Sequence, residues 1–306
     1  MKSRVLSLLA IPVLITACGG PPQVSDSPEG LVRVVATTTI TGDLVRTIGG
    51  DAVELETLMG AGVDPHLYKP SAGDVRTMAA AQVVVYNGLH LEGKITEVLE
   101  EMGGRGVEVV AVAECIDPDA LLPVEGFEEM YDPHVWFDIE LWQQAAACLR
   151  DELVRIDPAH ADGYRERGDA LIAELSELDG WVEERIGSLP EARRVLVTAH
   201  DAFEYFGRAY DIEVRGLLGV STAAEAGTAD VQQLAAFIAD RNLPAVFVES
   251  SVPPRYVEAL TEAVVARGGD VTIGGSLYSD ALGSPGGPAE TYVGTVRSNV
   301  DTIVSA

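Results

Sequence analysis

The stretch PAHADGYRERGDALIAELSELDGWVEERIGS, residues 158–188, decides how this chain is organised. After its first residue it has no proline, and Tyr164, Leu171, Leu175, Leu178, Val182 and Ile186 recur at three-, four- and seven-residue steps. That spacing lays a single apolar stripe along a helix. Asp157 and Pro158 supply a start signal and Pro190 a stop. Gly163, Gly168 and Gly180 weigh against it, each costing up to about 1 kcal/mol relative to alanine. Helical throughout, the stretch would run about 45 Å at roughly 1.5 Å per residue. One rod of that kind, joining two lobes, would limit how far they hinge.

On both sides of the rod, short β-rich runs alternate with helical ones, the pattern of parallel α/β architecture. Strands are expected at residues 31–36, 53–58, 82–86 and 107–112, with helices at 41–48, 72–80 and 93–102. The second half repeats the pattern with strands at 194–198, 213–217, 245–248 and 271–273 and helices at 202–210, 229–240, 254–267 and 289–304. The expected fold is α/β, with two lobes that each hold a roughly four-stranded parallel sheet flanked by helices. The boundaries are 31–157 for the N-terminal lobe, 158–188 for the linking helix and 189–306 for the C-terminal lobe.

Residues 1–17 read as an export signal: Lys2 and Arg4 precede an apolar run that is too short for the roughly 20 residues of a membrane span. An uncleaved anchor helix is the alternative. Ile15-Thr16-Ala17-Cys18 resembles a bacterial lipobox, in which Cys18 is lipidated and becomes the mature N-terminus. Residues 18–30, rich in Pro, Ser and Gly, then form a flexible tether. These features place the protein on the outer face of the cytoplasmic membrane, anchored by lipid. In that oxidising compartment Cys115 and Cys148 can pair, with two free buried thiols as the alternative. The formal charge is −27, and loss of Lys2 and Arg4 with the signal, which holds no acidic residue, makes it −29. Such a surface repels nucleic acid. It concentrates cations mildly, or serves only solubility.

The chain has five histidines, and three lie in acidic, loop-like contexts: Asp64-Pro65-His66, Asp132-Pro133-His134 and Thr198-Ala199-His200-Asp201. Each falls just beyond an expected strand or in the stretch after it, where a parallel sheet presents its ligands. Asp280 occupies the corresponding place after the last expected strand. Several neutral imidazoles beside a carboxylate suit a divalent transition metal. Proline before His66 and His134 restricts the backbone there. Asp64 and Asp132 are candidates to accept the other ring N–H of each histidine, although Asp-Pro is also ordinary turn punctuation. His90 and His160 read as packed or solvated residues.

The stretches around these residues, residues 64–70, 132–138, 198–206 and 277–283, together with Val246-Phe247-Val248-Glu249-Ser250-Ser251 and Glu225-Ala226-Gly227-Thr228, resemble the zinc/manganese substrate-binding lipoproteins of ABC importers (the cluster A-I metal-binding solute-binding family). The resemblance covers essentially the whole mature chain. It implies two α/β lobes joined by one long helix, with His66, His134, His200 and Asp280 as the four metal ligands and Glu249 close behind them. Residues 117–131 are acidic but lack the histidines of the long loop that many zinc-dedicated members carry. His200 stands where manganese-dedicated members usually have glutamate.

The expected function is therefore extracytoplasmic capture of Zn²⁺, with Mn²⁺ the alternative, by a monomer that delivers it to an ABC-type metal permease. Affinity should fall at least about tenfold between pH 7.5 and pH 5 as the imidazoles protonate. A mononuclear zinc hydrolase is the rival reading, but a fourth protein ligand leaves no position for an activated water. The chain is expected not to be an enzyme.

Overall fold

Val32–Ala36, Val53–Thr57, Val83–Tyr86 and Glu108–Ala111 form β1 to β4 of a parallel sheet in the order β2-β1-β3-β4. The structure is a computed structural model and describes residues 30–306 except 125, 128 and 129. The export signal, Cys18 and the tether as far as residue 29 lie outside the described residues. Helices α1 (Thr39–Gly49), α2 (Ala72–Ala80) and α3 (Thr96–Gly104) make the crossovers that parallel neighbours require. Thr38 caps α1 and Ser71 caps α2, each with its side chain on the third backbone N–H of the helix.

A helix absent from the expected elements follows: α4, Ile139–Ile156. Asp138 caps it by accepting the Glu140 and Leu141 N–H groups. Ile139, Trp142, Ala145, Ala146, Leu149 and Leu153 bury one face of it. That face packs against the linking helix α5, Ala161–Gly187, which is preceded by a short turn at Pro158–His160. Every residue of the expected stripe, from Tyr164 to Ile186, is buried. Gly168 breaks nothing, because a Cβ there would meet Arg150 of α4 at 2.7 Å. The two helices use it to approach each other. A disulfide between Cys115 and Cys148 ties the segment after β4 to α4, with Cα atoms 6.2 Å apart.

The second half supplies β5 (Val195–His200), α6 (Glu204–Tyr210), β6 (Glu213–Leu218), α7 (Thr228–Arg241), β7 (Ala245–Glu249), α8 (Arg255–Ala266), β8 (Thr272–Leu277) and α9 (Tyr292–Ser305). Its four strands are hydrogen-bonded as two parallel pairs, β5-β6 and β7-β8, with β5 lying beside β7. β8 runs through Gly274 and Gly275, past its expected end, and its register with β7 shifts at Val246/Phe247. No helix among the described residues is long and apolar enough to cross a membrane.

One hydrophobic cluster runs through both lobes, taking in Val34 and Ile48 from the first, Leu175 from the rod and Phe203, Leu277 and Tyr292 from the second. Each large side chain in such a core is stabilised by about 1.5–3 kcal/mol relative to exposure. Pulling the lobes apart would expose several at once, so α5 is a spine within a shared core.

Candidate metal centre

The loop between β2 and α2 carries His66. Asp64 Oδ1 accepts the His66 backbone N–H at 2.9 Å, closing a tight turn over Pro65. The same turn recurs at His134, whose N–H is accepted by Asp132 Oδ1, also at 2.9 Å. There the two copies part. Asp132 Oδ1 also lies 2.7 Å from the His134 ring Nδ1. The second oxygen of Asp64 instead accepts the Thr222 hydroxyl at 2.6 Å, and no bond joins Asp64 to the His66 ring. Asp64 is thus corrected from a ring partner to a turn residue.

His200 is the last residue of β5, whereas the sequence reading placed it after the strand and at the opening of a helix. Glu249 ends the adjacent β7, so the two strand ends bring it alongside. Glu249 Oε1 accepts the His200 N–H at 2.8 Å, and Oε2 lies 2.5 Å from the ring Nδ1. Asp280 lies shortly beyond Leu277, the end of β8. Its Oδ2 accepts the Ser251 hydroxyl at 3.0 Å. Its loop is held across the lobes by the Trp136 indole, which donates to the Ser279 carbonyl at 3.1 Å.

From these separate loops, donor atoms of His66, His134, His200 and Asp280 converge within 4.8 Å of one another, all buried. His134 Nε2 is 3.3 Å from Nε2 of both His66 and His200. Asp280 Oδ1 is 3.5 Å from His134 Nε2 and 3.4 Å from His200 Nε2. A tetrahedron with metal–ligand bonds of about 2.0–2.1 Å has edges of about 3.3–3.4 Å, so these separations fit a four-coordinate ion. Asp280 Oδ1 is buried without a hydrogen-bond partner, as an oxygen kept for a cation would be. His90 is exposed, and His160, 44% exposed in its side chain, pairs with Asp157 at the surface.

The rings differ in their electrostatics. Burial pushes His66 down to about 3 against the opposing charge of Asp280, and no carboxylate is hydrogen-bonded to its ring. Burial opposes charge on His134 too, but Asp132 and Asp280 outweigh it and raise the ring to about 9. His200 is also buried, yet Asp280 and Glu249 hold it well above the usual range. Asp280 is driven well below the usual carboxylate range: burial alone would raise it, but His200 and His134 outweigh that effect. The carboxylates around His134 and His200 favour positive charge there, so protons and a divalent cation compete for the same rings.

Glu249→Gln keeps the shape but removes the charge behind His200, and should lower zinc affinity by about 10–100-fold in competitive titration. An unchanged affinity would show that the carboxylate does not tune the ring.

Sequence reasoning passed over several supporting residues. Tyr205 accepts the Leu122 N–H and donates to the Asp132 carbonyl, both at 3.0 Å. Asn87 donates to the Pro133 carbonyl at 3.0 Å. Ser251 and Thr222 hold carboxylates across the fold. Tyr205 and Ser251 lie inside the stretches quoted for the resemblance, but only the folded chain shows what they touch.

Comparison with known proteins identifies the family. The chain is 50% identical over 278 residues to the zinc-binding protein TroA of Treponema pallidum, covering 91% of this chain and 89% of that one. It is 44% identical over 292 residues to the manganese-binding lipoprotein MntA of Bacillus subtilis, covering 95% and 94%. The solved structure of the periplasmic zinc-binding protein TroA from Treponema pallidum superposes with a TM-score of 0.88, covering 90% of this chain and 99% of that one. A family profile described as ZnuA, zinc-uptake complex component A, periplasmic, matches residues 34–306, and with these relatives it shows that the chain belongs to the ZnuA family of metal-binding proteins.

Proposed function

We propose that this protein captures a divalent transition metal outside the cytoplasmic membrane and hands it to an ABC permease, with His66, His134, His200 and Asp280 as ligands and zinc as the favoured ion. The observation that carries the reading is the buried convergence of four donor atoms, one of them the partnerless Oδ1 of Asp280. Three nitrogens and one carboxylate suit borderline-soft zinc better than manganese, which prefers more oxygen. The manganese-binding name of the 44% identical relative favours Mn²⁺ as a second reading. Family membership makes the chain a binding component and not an enzyme. A closed four-ligand site also leaves no place for the activated water of a zinc hydrolase.

The same proposal includes lobes at 31–157 and 189–306 about the helix of 158–188, a lipid anchor at Cys18 and a monomeric state. Relatives named as lipoproteins support the anchor. The test is elemental analysis of the purified native protein, followed by competition between Zn²⁺ and Mn²⁺. One ion per chain, with zinc displacing manganese, is expected. Absence of a stoichiometric ion sinks the reading, and manganese displacing zinc would transfer it to the second metal.

A further inference from the structure

His66 is the odd member of the cluster. Carboxylates orient the rings of His134 and His200 from behind, whereas the His66 Nδ1 has no protein partner among the described residues. The short separations in the cluster join His134, His200 and Asp280 to one another, and His66 only to His134. The two remaining separations, both from His66, complete the set within 4.8 Å. No carboxylate behind the ring orients His66, so its main chain carries more of that task.

That main chain is itself lightly held. Between Met59, which bonds back to Thr37, and Ser71, which caps α2, the loop's own backbone bond is Val63 to Gly60. It reaches the second lobe at two points. Gly62 comes close enough to the Ser250 carbonyl that a Cβ there would lie 3.2 Å from it. Asp64 joins the two functions in one carboxylate: Oδ1 takes the His66 N–H, and Oδ2 takes the Thr222 hydroxyl from the loop after β6, 158 residues away.

We infer that Asp64 and Thr222 form a clasp across the cleft that positions His66, and that opening of this clasp, more than separation of the lobes, limits how fast the ion leaves. The shared core and the bonds from Trp136 and Tyr205 hold the other three donors across the lobes, which leaves the His66 loop as the side that can yield. The inference rests on the metal-site reading above and assigns Thr222 a part in it.

The test loads the full chain with zinc and follows release into excess chelator with a zinc-sensitive dye, for wild type, Thr222→Val and Thr222→Ser. Thr222→Val keeps the shape and loses the hydroxyl; it should still bind one ion but release it about tenfold faster, as the loss of a hydrogen bond to a charged group implies. Thr222→Ser restores the hydroxyl and should restore the slow rate, and the melting temperature of all three metal-free proteins should coincide. Wild-type release from Thr222→Val overturns the clasp, as does Thr222→Ser releasing as fast as Thr222→Val. A lowered metal-free melting temperature with unchanged release reduces Thr222 to a structural residue and equally overturns it. Wild type that holds no stoichiometric zinc overturns the metal site itself, so the two failures are told apart by the first measurement.

Discussion

His134→Ala should lower zinc affinity by about 10³-fold, since partners behind a ligand are already worth about 10–100-fold and the ligand itself more. His134 is the hub of the cluster, short of 3.6 Å from each of the other three donors. Its loss also strands Asp132, which is 3% exposed and whose Oδ2 already lacks a partner. Removing one member of a buried charge pair costs about 3–5 kcal/mol, so the metal-free variant should unfold at lower denaturant than wild type. His66→Ala is the informative contrast. It removes a ligand but leaves no carboxylate stranded, because none is hydrogen-bonded to that ring and Asp280 keeps His134 and His200 beside it, so it should lose the ion with little loss of metal-free stability. Isothermal titration and denaturant unfolding of both variants read the two quantities separately. Wild-type affinity in His134→Ala would remove the ion from this cluster.

That contrast marks how far the sequence could be read. Asp64-Pro65-His66 and Asp132-Pro133-His134 are the same tripeptide and fold into the same backbone turn, which local chemistry dictates. What the rest of each aspartate does is a tertiary matter: Asp132 turns to its own histidine, while Asp64 reaches Thr222 in the other half of the chain. No spacing rule could separate them. The apolar stripe of α5 was legible because it is built of large aliphatic residues at unbroken helical steps. The stripe of α4 leans on Ala145 and Ala146, whose weak hydrophobicity dilutes the same periodicity, although Asp138 and Trp142 mark its start. Short strands are bounded least well. β5 runs on to His200 and β8 through two glycines, because pairing with a neighbour, and not propensity, decides where a strand stops. Convergence of the four donors was expected from their places beyond the strands and from family resemblance, but composition and spacing set no distances between separate loops.

Zinc affinity should fall by at least about 300-fold between pH 7.5 and pH 5, on the basis that each proton displaced per ion changes affinity about tenfold per pH unit and at least one is displaced. The sign follows from the metal-free rings. His134 is raised to about 9 and His200 lies well above its ordinary range, so over this window the empty centre holds protons that an incoming ion must expel. Each step toward acid strengthens the competitor, and affinity declines; toward pH 9 the competition fades and affinity levels off. His66, lowered to about 3, is already neutral throughout the window and contributes no proton. The decline therefore belongs to the two carboxylate-backed histidines. Removing the charge behind one of them, as in Glu249→Gln, should lower affinity at pH 7.5 and flatten the profile together, because the carboxylate that strengthens His200 as a ligand also makes it hold its proton. Proton release measured by titration in two buffers of different ionisation enthalpy counts the protons directly. A release near zero at pH 7, with a flat affinity profile, would mean that the rings hold no proton before the metal arrives and that the carboxylates do not favour one.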